Sequence, residues 1–511
     1  MASKSNHLMR TTLSVTLVIF VSKAIGFIRE MIMAYYFGRD CITDAYNSAY
    51  SLFYLPVLLF SSCVTSTLVP LYIRRENELG PEGAHRFASN TLNLFATFSL
   101  LISLFMMLFA GPLVHIVYPG FSEEAHDLTV TLSRIMFPAL VFFVAAIVLS
   151  TVLNAQEHYL AAQLTGLPLS FALITAAVLF SGTVGIRAQA WGVLAAGILQ
   201  IVILLPALRH DFRYYPTFNL HDKHFRRLMT LAVPSVLSMA VNELNHMIDR
   251  MLASTLNAGD ISSMTYAFKL IMFMTGVLVV PLTTISFSKM SKQAANKNVS
   301  ALIPQVRRSI ALLAFVILPV VCIAGVCSEQ VIRLAYGRGR FDEESVRLTG
   351  QVFLFYVIGV PFYSMRDLMN RVYHSMENTK TPMIIACISM ALNIVLNLIL
   401  RGVMGVNGLA FATSVAALIG CILLARGITQ RIGRVFNRKF VLELAKIAFS
   451  SALALVASLC MSRLLPDWRG TLPVIGWLIL VALPGAVMYI LSCLALNVKQ
   501  CGRILSILKR S

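Results

Sequence analysis

Charged residues are scarce in this chain. Asp, Glu, Lys and Arg together make up 13% of its 511 residues, whereas apolar residues make up 58%. A soluble domain is only about half apolar, and no stretch of comparable length between the apolar runs is left for one. The composition therefore excludes a mainly soluble protein and predicts an all-α, polytopic membrane protein.

The motifs of the common enzyme classes are also missing. The nine cysteines are scattered and show no paired metal-ligand spacing, so we interpret them as small core residues. No Ser/His/Asp set, phosphate-cradling glycine loop or nucleotide-binding motif appears. These absences argue against a hydrolase and against ATP-driven export by this chain alone.

Long apolar runs are present instead. Windows of about 20 mostly apolar residues, the length needed to cross a bilayer core, recur along the whole chain and predict about fourteen transmembrane helices. The windows are centred near Phe20, Leu58, Leu101, Phe142, Ala172, Gly197, Met239, Met274, Phe315, Val357, Leu392, Val415, Val456 and Val481.

The charges that do occur are mostly basic. The 42 Lys and Arg exceed the 23 Asp and Glu, which gives a formal net charge of +19. If the N-terminus is cytoplasmic, 27 of the basic residues lie in the cytoplasmic loops and ends, and nine lie on the opposite side. This is the positive-inside bias. Orientation and contact with membrane lipid headgroups explain the charge, so we expect no nucleic-acid binding and cytoplasmic N- and C-termini.

The two halves of the chain resemble each other. At an offset of 220 residues, "EMIMAYYFGRDCITDAY" from Glu30 lies over "RMLASTLNAGDISSMTY" from Arg250, so that Asp40 falls on Asp260 and Tyr46 on Tyr266. An even number of spans separates the copies, so both run in the same direction through the membrane. The sequence predicts a six-helix lobe over 1–208, a basic cytoplasmic linker over 209–227, a second six-helix lobe over 228–427, and a basic linker with two further helices over 428–511.

Several ionisable residues fall inside or at the ends of predicted spans. Each costs roughly 2.5–3.5 kcal/mol at the centre of a membrane helix, so it should face protein or water rather than lipid. Because the equivalent first pairs of helices in both lobes carry these residues, we predict that they line a central cavity and contact a substrate. An alternative is that Arg29 and Glu30 form a local buried pair that only locks helices together. The predicted substrate-binding residues are Lys23, Arg29, Glu30, Asp44, Arg250 and Lys269.

A second group of polar residues suggests a cation site. Asn393 and Asn397 lie four apart on one helix face, Thr413 follows in the next span, and Asp249 belongs to a polar stripe in span seven. Two amides, a hydroxyl and one carboxylate suit a monovalent ion such as sodium better than a divalent one. Hydrogen bonding between helices by Asn and Thr is an equally good explanation. His246 is weak evidence for proton coupling.

Several short segments, read together, are similar to one family. They resemble the MurJ (MviN) family of lipid II flippases, within the superfamily of multidrug, oligosaccharidyl-lipid and polysaccharide exporters. The resemblance implies two six-helix lobes plus two helices, alternating access, and export of an undecaprenyl-pyrophosphate-linked peptidoglycan precursor across a bacterial plasma membrane. The segments are "SKAIGFIREMIMAYYFG", "TDAYNSAY", "YGRGRFDEES", "NTKTP", "LNIVLNLIL" and "GVNGLAFATS".

The resemblance also implies roles for individual residues. Cavity arginines of the family correspond to Arg29 and, as lysines, to Lys23 and Lys269, and the family aspartate after span one corresponds to Asp44. The cation site of the family would fall on Asp249, Asn393, Asn397 and Thr413. This chain departs from the pattern in span two, where "LFYLPVLLF" replaces a family segment that carries arginines. Lysine also keeps the charge of arginine but lacks its bidentate fork.

Alternative functions remain open at this stage. A flippase for another lipid-linked oligosaccharide and a cation-coupled multidrug exporter share the predicted architecture, although such exporters favour acidic cavities. A membrane glycosyltransferase would need acidic residues in external loops, and "GFSEEAHD" and "GRFDEES" are the only candidates. The favoured interpretation is a lipid II flippase that is not an enzyme and acts as a monomer.

Overall fold

Helices make up most of the residues that the computed structural model of the protein describes, which are 2–295, 299–376, 378–466 and 468–502. No strand occurs in these ranges. The helices form two compact units, Met1–Ser262 and Ser263–Ser511. The predicted all-α class is confirmed. The predicted lobe and linker boundaries stay predictions.

Nine helices begin and end in the first unit. The long second helix is its centre, because the fourth, fifth and ninth helices all pack against it, while the first helix packs against the seventh. The helices are α1 Ala2–Phe37, α2 Cys41–Leu108, α3 Ala110–Val117, α4 Glu123–Met136, α5 Ala139–Ala155, α6 Tyr159–Gln163, α7 Gly166–Val184, α8 Arg187–Asp211 and α9 Lys223–Ala253.

The second unit contains most of the tenth helix and all the later ones. Within it α13 packs against α11, α12 and α15, and the last two helices pack against each other and against α11. The helices are α10 Asp260–Ala295, α11 Val299–Val326, α12 Ser328–Tyr336, α13 Glu343–Ser375, α14 Lys380–Met404, α15 Val406–Ile432, α16 Arg438–Leu464 and α17 Thr471–Ala495.

A similar buried hydrogen bond from a tyrosine occurs in each unit. In the first unit the Tyr118 hydroxyl donates to the carbonyl oxygen of Ser48, at 3.4 Å. In the second unit the Tyr336 hydroxyl donates to the carbonyl oxygen of Tyr266, at 3.2 Å. The two residues of each pair are 70 positions apart in the chain. Tyr118 follows the eight-residue α3, and Tyr336 is the last residue of the nine-residue α12. The same local packing therefore occurs once in each half.

A glycine interrupts the longest helix. The 68-residue α2 covers two of the predicted spans, and its backbone leaves helical geometry at Gly80, where φ is 71° and ψ is −178°. A side chain would make this positive φ costly, whereas glycine adopts it readily. Pro81 follows immediately, and a proline is well suited to the start of a new helical segment.

Ten helices in the described ranges are long and apolar enough to span a membrane, or eleven if α4 and α5 form one bent span. The number is below the fourteen predicted windows for three reasons. The helix α2 counts once although it contains two windows, and neither α1 nor α9, each of which carries charged side chains, is among the candidate spans. The multi-span architecture is confirmed, and the count of fourteen stays a prediction.

The basic segment after α8 is held along α2. Between the end of α8 and the start of α9, the chain is not helical over 212–222. Asn90 exchanges two hydrogen bonds with the backbone of Asn219, at 2.6 and 3.0 Å, and the Asn93 amide donates to the Thr217 carbonyl oxygen at 2.8 Å. These side chains replace the backbone partners that an extended segment lacks.

Candidate substrate site

The ion pair of α1 lies within one turn of an otherwise apolar helix. The Arg29 guanidinium donates from Nε and Nη2 to Glu30 Oε1, at 3.1 and 2.6 Å. The side chain of Glu30 is 7% exposed and that of Arg29 is 21% exposed. A guanidinium has five N–H donors, so the pair uses two of them on a single carboxylate oxygen. Arg29 therefore keeps donor capacity toward the partly exposed side.

Three tyrosines of α2 lie beside this pair. Tyr46, Tyr50 and Tyr54 follow at intervals of four residues, which places them on one helix face. Their rings stack successively, with centroids 6.1 and 5.4 Å apart. All three interact electrostatically with Arg29. The ladder was not predicted from the sequence, although the four-residue spacing of the three tyrosines is a signal for it.

The polar stripe of α9 joins the same cluster. The Arg250 guanidinium donates to the Ser51 hydroxyl of α2. Glu243 interacts electrostatically with both Arg250 and Tyr54. Asp249 is 2% exposed. The first unit thus brings Arg29, Glu30, Glu243 and Arg250 close to the tyrosine ladder. The contact of Arg29, Glu30 and Arg250 with a substrate stays a prediction.

The two predicted lysines occupy different environments. Lys23 lies six residues before Arg29 on α1, and its side chain is exposed. Lys269 lies on α10 in the second unit and is partly buried. The predicted cavity that combines them with Arg29 stays a prediction.

The carboxylate of Asp44 binds the backbone between α9 and α10. Its Oδ2 accepts from the Gly259 amide at 2.6 Å, and its Oδ1 accepts from the Ser262 amide at 2.7 Å and from the Ser262 hydroxyl. Amides at the start of a helix lack partners within the helix and favour a negative charge. In this conformation both oxygens of Asp44 accept hydrogen bonds from the start of α10 and the residue before it, and the predicted contact of Asp44 with a substrate stays a prediction.

An ion pair reinforces this contact. Arg39 Nη2 lies 2.7 Å from Asp260 Oδ1, and the two side chains are 9% and 4% exposed. The other oxygen of Asp260 accepts from the Asn257 amide at 3.1 Å. Arg39 and Asp44 on one side, with Gly259, Asp260 and Ser262 on the other, form what we call the connection contact. Sequence analysis did not identify Arg39 as part of a site.

The predicted cation ligands of the second unit contact one another. Asn397 Nδ2 donates to Asn393 Oδ1 at 3.0 Å, Asn393 Nδ2 donates to Thr413 Oγ1 at 3.3 Å, and Thr413 donates to the Leu409 carbonyl oxygen at 2.9 Å. Both asparagines are at most 1% exposed. This chain of bonds links α14 to α15 and fits the hydrogen-bonding alternative. Asp249 belongs to the first unit.

The acidic segments that are predicted to be external lie at the starts of helices. Ser122 caps α4 by accepting from the Ala125 amide, and Asp342 caps α13 by accepting from the Ser345 amide. The following glutamates lie in the first turns, where negative charge is favourable. Glu343 also pairs with Arg333 at 2.6 Å. Helix capping therefore accounts for the acids that the glycosyltransferase alternative would need.

The segment of α2 that departs from the family pattern is packed as an apolar surface. Val57 is 3% exposed, and the ring of Phe60 contacts that of Phe95 edge to face, with centroids 5.5 Å apart. The basic residues of the family pattern are thus replaced by hydrophobic packing within the first unit.

Comparisons with known proteins agree with this architecture. A family model described as Lipid II flippase MurJ matches residues 33–475. A probable lipid II flippase MurJ from Rhizobium meliloti (strain 1021) is 30% identical over 417 residues, which cover 79% of this chain and 77% of the relative. One from Thermotoga maritima is 28% identical over 498 residues, covering 97% of this chain and 98% of the relative.

Solved structures show the same fold. A lipid II flippase MurJ in an inward closed conformation superposes with a TM-score of 0.80 at 26% identity, covering 94% of this chain and 97% of that one. An inward-facing multidrug resistance transporter of the MATE family gives a TM-score of 0.67 at 15% identity, covering 80% and 98%. The second likeness concerns the fold alone. Because the family model spans most of the sequence, the chain belongs to the lipid II flippase MurJ family.

Proposed function

We infer that this protein translocates lipid II, the undecaprenyl-pyrophosphate-linked peptidoglycan precursor, from the cytoplasmic to the outer face of the bacterial plasma membrane by alternating access. The observation that carries the inference is family membership across residues 33–475. The cluster around Arg29 is chemically suited to the task, because guanidinium donors bind phosphate oxygens strongly. The polyprenyl tail would remain in the lipid while the headgroup crosses.

A transporter needs no bond-breaking chemistry, and we propose that this protein is not an enzyme. Of the acids in the segments proposed to be external, Asp342 caps α13 and Glu343 pairs with Arg333. A flippase for another lipid-linked oligosaccharide is the main alternative. A multidrug exporter is less suited to the first-unit cluster, because Arg29 and Arg250 counter its acids, whereas cationic drugs favour a net negative site.

We propose that both termini are cytoplasmic and that the protein acts as a monomer. The distribution of basic residues supports this orientation. In a variant whose exposed Cys387 and Cys460 are replaced by alanine, a cysteine at Glu124 should react in intact cells with a maleimide that cannot cross membranes. Reaction only after permeabilisation would reverse the orientation.

Depletion of the protein in its native cell tests the function. Lipid II should accumulate on the cytoplasmic face, and expression of the native chain should reverse the accumulation. Lipid extracts from depleted and restored cells, with the accessible headgroup labelled from outside, provide the measurement. Accumulation of a different polyprenyl-linked sugar, with lipid II distribution unchanged, would contradict the lipid II assignment and favour the alternative flippase.

We further propose coupling to a monovalent cation, with sodium preferred to a proton. The oxygens of Asn393, Asn397 and Thr413 are neutral hard ligands, and Asp249 would provide the charge. Each amide carries one oxygen acceptor, and rotation of the amide group can direct this oxygen toward an ion.

Sodium should stabilise the purified protein through this site. At ten times its dissociation constant, sodium would add about 1.4 kcal/mol to the free energy of unfolding, measured as a higher melting temperature in sodium than in potassium chloride. Asp249→Asn should abolish the difference. Asn242→Leu, at an exposed position seven residues earlier on the same helix face, is the matched control and should retain it. An unchanged sodium effect in Asp249→Asn, or none in the native chain, would favour the hydrogen-bonding alternative.

A further inference from the structure

A basic cavity lies in the second unit where α11, α16 and the segment after α17 meet. Its volume is about 280 Å³. Four of its lining side chains are cationic, namely Arg307, Arg308, Lys439 and Lys499, and Glu443 is the acidic one. Such an excess of positive charge around an open cavity attracts an anion. None of these residues belongs to the predicted substrate or cation sites.

The backbone that borders the cavity is held in place. Arg307 Nε donates to the Val435 carbonyl oxygen at 2.6 Å, and its Nη2 donates to the Arg434 carbonyl oxygen. The connection between α15 and α16 is thereby tied to α11. Asn437, another lining residue, caps α16 by accepting from the Phe440 amide at 2.9 Å. The positive end of the α16 dipole therefore adds to the charge of the side chains.

Two buried acceptors in the cavity lining indicate a ligand with hydroxyl groups. Gln500 is 6% exposed. Its Oε1 atom and Glu443 Oε1 are both buried without a hydrogen-bond partner in the described part of the chain. Leaving such acceptors unmatched is unfavourable. Lys499 lies 3.8 Å from the other oxygen of Glu443 and leaves Oε1 available. A ligand that combines a phosphate with hydroxyl groups would satisfy cations and acceptors together.

Apolar side chains continue from the cavity along α16. Leu442 and Phe449 lie three and ten residues after Lys439, which places all three close to one helix face. Leu442 is 59% exposed and Phe449 is 57% exposed. In a membrane protein such exposed residues contact acyl chains. The charged cavity therefore lies at one end of an exposed apolar face of α16. An amphiphilic ligand needs this arrangement, because it has a charged headgroup and an apolar tail.

We propose that this cavity binds the headgroup of an anionic glycerophospholipid, with its phosphate among Arg308, Lys439 and Lys499 and its hydroxyl groups directed at Gln500 and Glu443. The acyl chains lie along Leu442 and Phe449. Phosphatidylglycerol has this chemistry. The lipid would join α11 to the C-terminal helix pair, which already share the hydrogen bond from the Tyr489 hydroxyl to the Phe315 carbonyl oxygen, at 2.7 Å.

Lipid binding to the purified full-length chain tests the proposal without any transport assay. Native mass spectrometry would compare dioleoylphosphatidylglycerol, dioleoylphosphatidylcholine and inorganic phosphate at equal concentrations. The native chain should prefer the phosphatidylglycerol. The triple variant Arg308→Gln, Lys439→Gln, Lys499→Gln should lose about tenfold or more of that preference, because each interfacial cation contributes about fivefold. The matched control is the triple variant Arg426→Gln, Arg434→Gln, Arg438→Gln. It removes three exposed arginines that do not line the cavity, so it should retain the preference.

A second variant should act in the opposite direction. Glu443→Gln keeps an acceptor oxygen for the ligand hydroxyl but removes the negative charge from the lining, so it should tighten phosphatidylglycerol binding roughly twofold to fivefold, the range of a partly exposed charge interaction. Misfolding cannot produce such a gain. Equal loss in both triple variants, no lipid preference in the native chain, weaker binding in Glu443→Gln, or displacement of the lipid by equimolar inorganic phosphate would each overturn the proposal.

Discussion

Replacing both members of the α1 ion pair, as in Arg29→Met with Glu30→Gln, should leave the protein folded and inserted but unable to support growth of a flippase-depleted strain. Arg29 uses two of its donors on Glu30 and is 21% exposed. Its remaining donors are suited to a phosphate, and a hydrogen bond to a charged group contributes about 1.5–3 kcal/mol. Loss of that interaction corresponds to a roughly 10-fold to 100-fold fall in transport.

The single variant separates binding from packing. Arg29→Met alone leaves Glu30 buried without its partner, which costs about 3–5 kcal/mol, so reduced protein levels are expected. Arg29→Lys should be intermediate, because it keeps the charge but not the planar fork. Neutralising the exposed pair Arg74 and Glu78 is the control and should have no effect. If the double neutral variant restores full growth at normal membrane levels, Arg29 is only a structural partner of Glu30.

Asp44→Asn should impair transport about as strongly, because it disrupts the connection contact. The carboxylate accepts from two backbone amides, and an asparagine would turn one acceptor into a donor that faces an N–H group. Loss of a charge-assisted bond and an unmatched buried donor together destabilise this contact by roughly 2 kcal/mol or more. If the protein alternates between two states, a shift of that size changes their ratio about 30-fold.

Thiol labelling provides a readout that does not depend on transport. Cys41 and Asp44 line one cavity of about 200 Å³, together with Ala253 and Asn257. Opening of the connection contact should therefore make Cys41 react faster with a maleimide, in a variant without the exposed Cys387 and Cys460.

The neighbouring Asp40 offers a matched control. Its carboxylate caps α2 by accepting from the amide and the hydroxyl of Thr43. Asparagine caps a helix as well as aspartate does. Asp40→Asn should leave growth and labelling unchanged. Normal growth and native Cys41 reactivity in Asp44→Asn would show that the carboxylate does not control this contact.

Much of the architecture could be predicted because its cause is local. A helix that crosses a bilayer must satisfy its own backbone and present apolar side chains over about 20 residues. Those requirements appear directly in the composition of each window. The sequence also indicates a duplication at an offset of 220 residues, and each unit contains a similar buried tyrosine bond, although the two bonds correspond at an offset of 218.

The candidate site was only partly predictable. Arg29 and Glu30 are adjacent in sequence, so their ion pair could be predicted because the arginine side chain is long enough to reach the neighbouring carboxylate. The tyrosine ladder was hidden because aromatic residues at helical spacing are common in any apolar helix. The predicted cation ligands on α14 and α15 do meet, since the spacing of Asn393 and Asn397 places both on one face.

Hydropathy, charge placement and the internal repeat thus determined from sequence alone that this is a duplicated, multi-span helical protein with charges inside its spans. Only the tertiary structure decided which groups Asp44 and Arg39 bind. Their partners lie more than 210 residues away, and those of Asp44 include backbone amides. Every residue except proline carries such an amide, so no side-chain pattern marks the one that a distant carboxylate binds. The basic cavity has the same origin, because three segments far apart in the chain must pack together before their charges share one space.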